Sequence, residues 1–223
     1  MLADDSAAVR WDPQAPELMF RRIGLLSKHD ALSRSVVVYG CGGGDAVASV
    51  LTAVIARAWR LVLDADGLNA IARDASLQTQ LRHRSERGAF TVLTPHPLEA
   101  ARLLGANTAE VMTDRLHAGR TVAERFGAVC VLKGSGTVIA APGATPLVNP
   151  TGNAALATAG TGDVLAGLVG AALANLNDAS PSILQDRVAA AVFLHGWLAD
   201  HWVATRLEAL TADRLASQVR PVV

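Results

Sequence analysis

Aromatic side chains make up only 4% of this 223-residue chain, which holds two cysteines, one tyrosine and no excess of either charge. Each shortage removes a class of protein. Cys41 and Cys130 stand alone in sequence, so no disulfide scaffold is open to the chain and no second thiol sits at metal-ligand spacing. A catalytic cysteine has no sequence signal either, since nothing marks a partner base. The six histidines do not cluster. His195 and His201 fall on one predicted helix but not on one face of it, so a structural metal is not expected. Twenty basic and twenty acidic residues cancel, which leaves no electrostatic footprint for nucleic acid or an anionic membrane. No apolar run is long enough to span a bilayer. The opening Met1-Leu-Ala-Asp-Asp-Ser6 lacks the basic and apolar segments of a signal peptide, so a cytoplasmic protein is expected.

What is abundant is aliphatic: half the residues are hydrophobic, rich in alanine and valine. That length and composition suit one soluble α/β domain with a substantial core, spanning 1–223 without linker, repeat or low-complexity tract. The first thirty residues read as irregular, with a helix over Glu17–Leu26. Strands then alternate with helices. Val36–Gly40, Arg60–Asp66, Phe90–His96 and Ala128–Lys133 are short aliphatic runs, the signature of parallel strands buried on both faces. Helices are expected over Asp45–Ala58, from Pro97 to Leu104 and, as one long element, over Ala109–Phe126, with Pro97 well suited to a helix start. Gly136–Pro142 and Pro146–Asn149 read as a hairpin, and the remainder as helices over Gly162–Asn175, Leu184–Trp202 and Ala212–Gln218. The pattern predicts a mainly parallel sheet with helices on both faces.

In such sheets ligands bind beyond the carboxyl ends of the strands. The most informative stretch is Asn149-Pro-Thr-Gly-Asn153 followed by Gly160-Thr-Gly-Asp163 and an apolar helix. A glycine turn feeding a helix gathers free N–H groups and the positive dipole end at one point, which suits phosphate, and Asp163 lies in the first turn beside it. A helix cap and a tight turn would use the same residues. Lys133-Gly-Ser-Gly-Thr137 adds a cation, backbone donors and hydroxyls, and reads as a nucleotide contact. Gly40-Cys-Gly-Gly-Gly44 lets a ligand approach the backbone, or simply turns the chain. Asp64 and Asp66 alternate on the second strand, with Asp66 nearer the rim; Asp66 or Asn69 equally serves as a helix cap. His96 at a strand end can bond a polar ligand, and Glu99 one turn later can hold a magnesium-bound water or stabilise the helix start. His195 and Trp197 are expected only to pack.

Taken together, Asp64-Ala-Asp-Gly-Leu-Asn69, Thr94-Pro-His-Pro-Leu-Glu99, Lys133-Gly-Ser-Gly-Thr137, Asn149-Pro-Thr-Gly-Asn153, Gly160-Thr-Gly-Asp163 and Leu194-His-Gly196 resemble, in order and spacing, the ADP/ATP-dependent NAD(P)H-hydrate dehydratases. The resemblance runs from about Pro16 onward. It implies a ribokinase-like α/β fold. It also implies repair of the hydrates NADHX and NADPHX, in which a nucleotide phosphorylates the ring hydroxyl and phosphate is then eliminated; with ADP the products include AMP. ADP or ATP is the implied co-substrate, with Mg²⁺. Lys133, Gly134, Ser135, Gly136, Thr137 and Gly162 would contact the nucleotide, and Gly42, His96 and Asp163 the hydrate, with Asp163 taking the hydroxyl proton. A homo-oligomer is implied as well.

The chain departs from the family pattern in places. The family's first strand and glycine-rich loop, which help wall the substrate site, have no counterpart upstream of Pro16, which predicts an unpaired sheet edge. A start upstream of Met1 would supply them. Gly-Pro-Gly-Leu-Gly appears here as Gly40-Cys-Gly-Gly-Gly44, and a glycine expected in the Thr-Pro-His motif is Leu98. The approach to Gly160 is Ala154-Ala-Leu-Ala-Thr-Ala159 rather than glycine-rich. Two other readings remain open at this level: a ribokinase-like kinase of a small metabolite, and a shortened relative that binds nucleotide without catalysis.

Overall fold

The computed structural model describes residues 2–3, 12–13, 15–16, 18–22, 32–42, 44, 46–174, 176 and 180–219. Its centre is a six-stranded sheet. Strands β3 (Val36–Tyr39), β4 (Arg60–Leu63), β5 (Phe90–Leu93) and β6 (Val129–Leu132) run parallel, and β7 (Val138–Ala140) and β8 (Leu147–Val148) complete it as an antiparallel hairpin. Strands β1 (Leu2–Ala3) and β2 (Arg21–Arg22) form a separate parallel pair.

Alternation along each strand sends neighbouring side chains to opposite faces, and both faces are covered. Leu61, Leu63, Leu93, Cys130 and Leu132 join a core with α1 (Ala46–Arg57), α2 (Ala65–Arg73), α3 (Ala75–Glu86), α4 (Pro97–Leu104), α5 (Thr108–Thr113) and α6 (Arg115–Phe126). Val62, Val92, Val129 and Val131 face the other way, against Leu165, Val169, Val188 and Val192 of α7 (Thr161–Ala174) and α8 (Pro181–Thr205). A third cluster ties the end of α8 to α9 (Ala212–Ser217) through Leu198, Leu210 and Leu215. Each fully buried leucine stabilises the fold by roughly 1.5–3 kcal/mol relative to exposure.

Three expectations are corrected. Where a helix over Glu17–Leu26 is expected, one turn closes from Leu18 N–H to Ala15 O, and Arg21–Arg22 pairs with Leu2–Ala3, so sheet pairing takes these amides. Residues 17 and 23–26 lie outside the described residues, as does the residue at which the Asp45–Ala58 helix is expected to begin. The long helix over Ala109–Phe126 is two helices, because Asp114 adopts φ −142° and caps α6 by accepting from His117 N–H at 2.9 Å. The second strand ends at Leu63 rather than Asp66. Among the described residues β3 pairs only with β4, and Val38 is 38% exposed.

Candidate active site

Four parallel strand ends deliver the polar residues to one rim. Because β4 stops at Leu63, Asp64 and Asp66 do not follow the period-two alternation assumed for them. Asp64 occupies the N-cap position of α2 without a capping bond. It is buried instead, and its Oδ1 accepts from Lys133 Nζ at 2.8 Å. Asp66 accepts from Gly44 N–H at 2.8 Å and so holds the Gly40–Gly44 loop. The carboxylate that meets Lys133 and Asp163 is therefore Asp64, not the one nearer the rim. Gly40 has φ +108°, and a Cβ there would lie 2.1 Å from Asp64 O, so only glycine permits this crossing. Ala65, between the two aspartates, has φ +44°, a conformation that costs about 1–3 kcal/mol and that the surrounding site must hold.

Lys133 also lies 3.9 Å from Glu99. Its own N–H donates to Pro95 O at 2.8 Å, which fixes the end of β6 against the Thr94-Pro95-His96 turn. His96 and Glu99 form a capping box at the start of α4. His96 Nδ1 accepts from the N–H groups of Leu98 and Glu99, and Glu99 Oε2 accepts from His96 N–H at 2.8 Å. The helix-stabilising reading of Glu99 thus holds, and His96 spends one ring nitrogen on the cap.

Asp163 lies in the first turn of α7, with its carboxylate near Asp64 and the Cys41 thiol; one donor atom from each falls within 4.8 Å of the others. Burial, with Asp64 and Asp163 adding to it, pushes the Cys41 thiol up to about 12. It is a proton-bearing neighbour of Asp163, not a nucleophile. Gly162 packs on this cluster: a Cβ there would stand 3.6 Å from Lys133 Nζ and 3.9 Å from Asp64 Oδ2.

Beside the cluster opens a cavity of about 420 Å³, a size that suits a small-molecule ligand. Lys133, Gly134, Ser135, Gly136, Thr137 and Gly162 all line it, so the six residues expected to contact nucleotide are brought together. Facing them are Asn149 and Thr151–Asn153, a 3-10 turn over Ala154–Leu156, and His195 and Gly196 of α8. Asp163 lies at the margin beside Gly162; neither Gly42 nor His96 lines this cavity. Gly42 is exposed and open to solvent.

Three supports of the cavity were not legible as such. Asp200 accepts from Gly152 N–H and Asn153 Nδ2, each at 2.8 Å, and Thr151 Oγ1 donates to Phe193 O, so the Asn149–Asn153 loop is bonded to α8. A carboxylate one turn past Gly196 was the available signal. His195 Nε2 donates to Thr161 O at 2.9 Å, and burial holds its pKa below the ordinary imidazole value. Expected only to pack, it instead ties α8 to the start of α7. Trp197, also expected to pack, is 47% exposed and stacks on His201. Arg115 grips the Lys133–Thr137 loop through carbonyls of Leu132, Lys133 and Ser135.

A doubly covered parallel sheet, a glycine turn opening a helix at its rim and an acidic residue in that first turn define a ribokinase-like α/β protein. The family model for NAD(P)H-hydrate dehydratase matches residues 4–221. The chain belongs to the NAD(P)H-hydrate dehydratase family. It is 38% identical over 208 residues to an ADP-dependent (S)-NAD(P)H-hydrate dehydratase of Neisseria meningitidis, covering 92% of this chain and 67% of that one. A bifunctional NAD(P)H-hydrate repair enzyme of Gloeobacter violaceus is 45% identical over 84% of this chain, which spans only 33% of that longer protein. Among solved structures, the ADP/ATP-dependent dehydratase of Bacillus subtilis, crystallised with ATP and Mg²⁺, superposes with a TM-score of 0.70 at 30% identity, covering 92% of this chain and 72% of that one. These matches favour a dehydratase over a small-metabolite kinase or a non-catalytic relative.

Proposed function

We propose that this chain dehydrates NADHX and NADPHX to NADH and NADPH at the expense of ADP or ATP. The observation that carries the reading is the meeting of the 420 Å³ cavity, walled by Lys133–Thr137 and Gly162, with the Asp64–Lys133–Asp163 cluster at its margin. The cavity holds the nucleotide, with the Lys133–Thr137 loop and the start of α7 toward its phosphates. Asp163 receives the proton of the hydrate's ring hydroxyl as that oxygen takes the terminal phosphoryl group of ADP or ATP, releasing AMP or ADP; the C–O bond then breaks, phosphate leaves, and the adjacent ring carbon gives up a proton to form the ring double bond. Lys133, kept in place by Asp64, offsets the charge on the transferring group. The hydrate approaches from the Gly40–Gly44 side, past Gly42 and the exposed ring edge of His96.

Magnesium fits the chemistry of the donors: Asp64, Glu99 and Asp163 outnumber the single ammonium of Lys133, and hard oxygens suit a hard cation. Bound with the nucleotide, it would supply further charge neutralisation. Glu99 would act only through a water, since its Oε2 already accepts from His96 N–H. We also read 1–223 as one domain, working in the cytoplasm as a homo-oligomer without nucleic acid. Among the described residues no helix is long and apolar enough to cross a membrane.

The test is recovery of reduced-nicotinamide absorbance from purified NADHX with magnesium and ADP or ATP. Recovery that requires nucleotide, with one phosphate released per NADH formed, supports the reading. Absence of recovery by folded, nucleotide-binding protein refutes it.

A further inference from the structure

Arg115 is the first residue of α6, where free N–H groups and the positive end of the helix dipole disfavour a cation. Among the described residues no carboxylate pairs with it, and its Nε is buried without a partner. What holds it there is the neighbouring loop. Nη2 donates to Leu132 O at 3.1 Å and Lys133 O at 3.3 Å, and Nη1 to Ser135 O. The packing is tight enough that a Cβ on Gly134 would stand 3.0 Å from Nη2.

The consequence lies on the opposite side of the same peptides. In a trans peptide the C=O and N–H groups point in opposite directions, and no peptide among the described residues is cis. Turning the Lys133 and Ser135 carbonyls toward Arg115 therefore turns the N–H groups of Gly134 and Gly136 away from it, to the side where these residues line the cavity. The peptide between them is fixed by Thr137 Oγ1, which donates to Gly134 O at 3.0 Å. The N–H groups of Gly134, Ser135 and Gly136 have no acceptor among the described residues, although Lys133 N–H just before them does. Gly134 at φ +140° and Gly136 at φ +63° give the loop the backbone that this arrangement needs. Successive bare N–H groups in such a turn make an anion-binding concavity.

We propose that Arg115 is a positioning residue for phosphate recognition: it holds the Lys133–Thr137 loop by its carbonyls, so that the loop's N–H groups are already aimed at the nucleotide's phosphates. The guanidinium acts through the loop and does not touch the phosphates. This rests on the assignment of the cavity to a nucleotide.

The experiment measures equilibrium binding of adenosine, AMP and ADP to the wild type, Arg115→Met and Arg115→Lys, with thermal unfolding of each as a control. Arg115→Met keeps most of the methylene bulk and removes the donors. It is expected to weaken ADP about tenfold and adenosine less than twofold, so that the loss grows with phosphate. Arg115→Lys keeps the charge, but one ammonium cannot span three carbonyls, and an intermediate loss follows; it also serves if the methionine variant does not fold. In turnover, KM for ADP rises while kcat stays within about twofold, and millimolar guanidinium restores part of the affinity of Arg115→Met. Equal losses of adenosine and ADP would mark a merely structural arginine and overturn the proposal. So would ADP affinity unchanged in both variants. If the wild type itself binds neither AMP nor ADP, it is the nucleotide assignment that fails, and the proposal fails with it.

Discussion

The two sides of the Asp64–Lys133–Asp163 cluster are built differently. On the side of the 420 Å³ cavity the loops are bonded to rigid elements: Lys133–Thr137 to Arg115, Asn149–Asn153 to Asp200 and Phe193, and the start of α7 to His195. On the other side, Gly42 has nothing within 4 Å of its Cβ position, Asp66 holds the loop through Gly44 N–H, and β3 has no outer partner among the described residues. Preorganised donors stabilise charge without reorganising during the reaction, so under the proposed assignment rigidity contributes most on the cavity side. If the hydrate approaches on this side, as proposed, substitutions at Gly42 should act on hydrate binding more than on folding.

The comparison can be broken most severely at its boundary. Asp163→Asn is expected to lower kcat by about 10²–10⁴-fold while ADP affinity holds, which rapid-mixing turnover and calorimetry would show. Asp64→Asn takes the partner from a largely buried ammonium. It should destabilise the fold by about 2–4 kcal/mol in denaturant titration and lower kcat/KM with it. Gly196→Ala forces a methyl group to 2.3 Å from Thr151 Oγ1. The displaced Asn149–Asn153 loop should cost about 1–3 kcal/mol of stability and weaken ADP without raising KM for the hydrate. A rise in hydrate KM alone would contradict the division between the two sides.

The smallest effect concerns pH. His195 is held below its ordinary value of 6.5 chiefly by burial. The unfolded chain therefore takes up the proton first, and stability declines as pH falls from 6.5 toward the lower folded value. Melting temperatures across that window should fall in the wild type and stay flatter in His195→Gln, whose amide can still donate to Thr161 O.

Much of this was legible in sequence because it is local. Aliphatic runs marked the strands, and the residues expected to contact nucleotide, Lys133–Thr137 and Gly162, line one cavity. What escaped depends on where strands stop and on distant partners. Period-two reasoning put Asp66 nearer the rim only because it ran the strand past Leu63; once β4 ends there, Asp64 is the residue paired with Lys133. Asp114 read as part of one long helix because a capping aspartate and a mid-helix aspartate look alike without the backbone. Arg115 sits beside it, and nothing in a one-dimensional pattern shows that its guanidinium reaches carbonyls about twenty residues away.

On the proposed reading, nucleotide binding and proton removal fall to adjoining but separable parts of one rim. The most direct measurement sets ADP affinity beside NADHX-dependent turnover for wild type and Asp163→Asn in the same preparation. An unchanged ADP dissociation constant and turnover lost by at least about a hundredfold are expected. Parallel loss of binding and turnover, or an asparagine variant that still restores NADH, would contradict it.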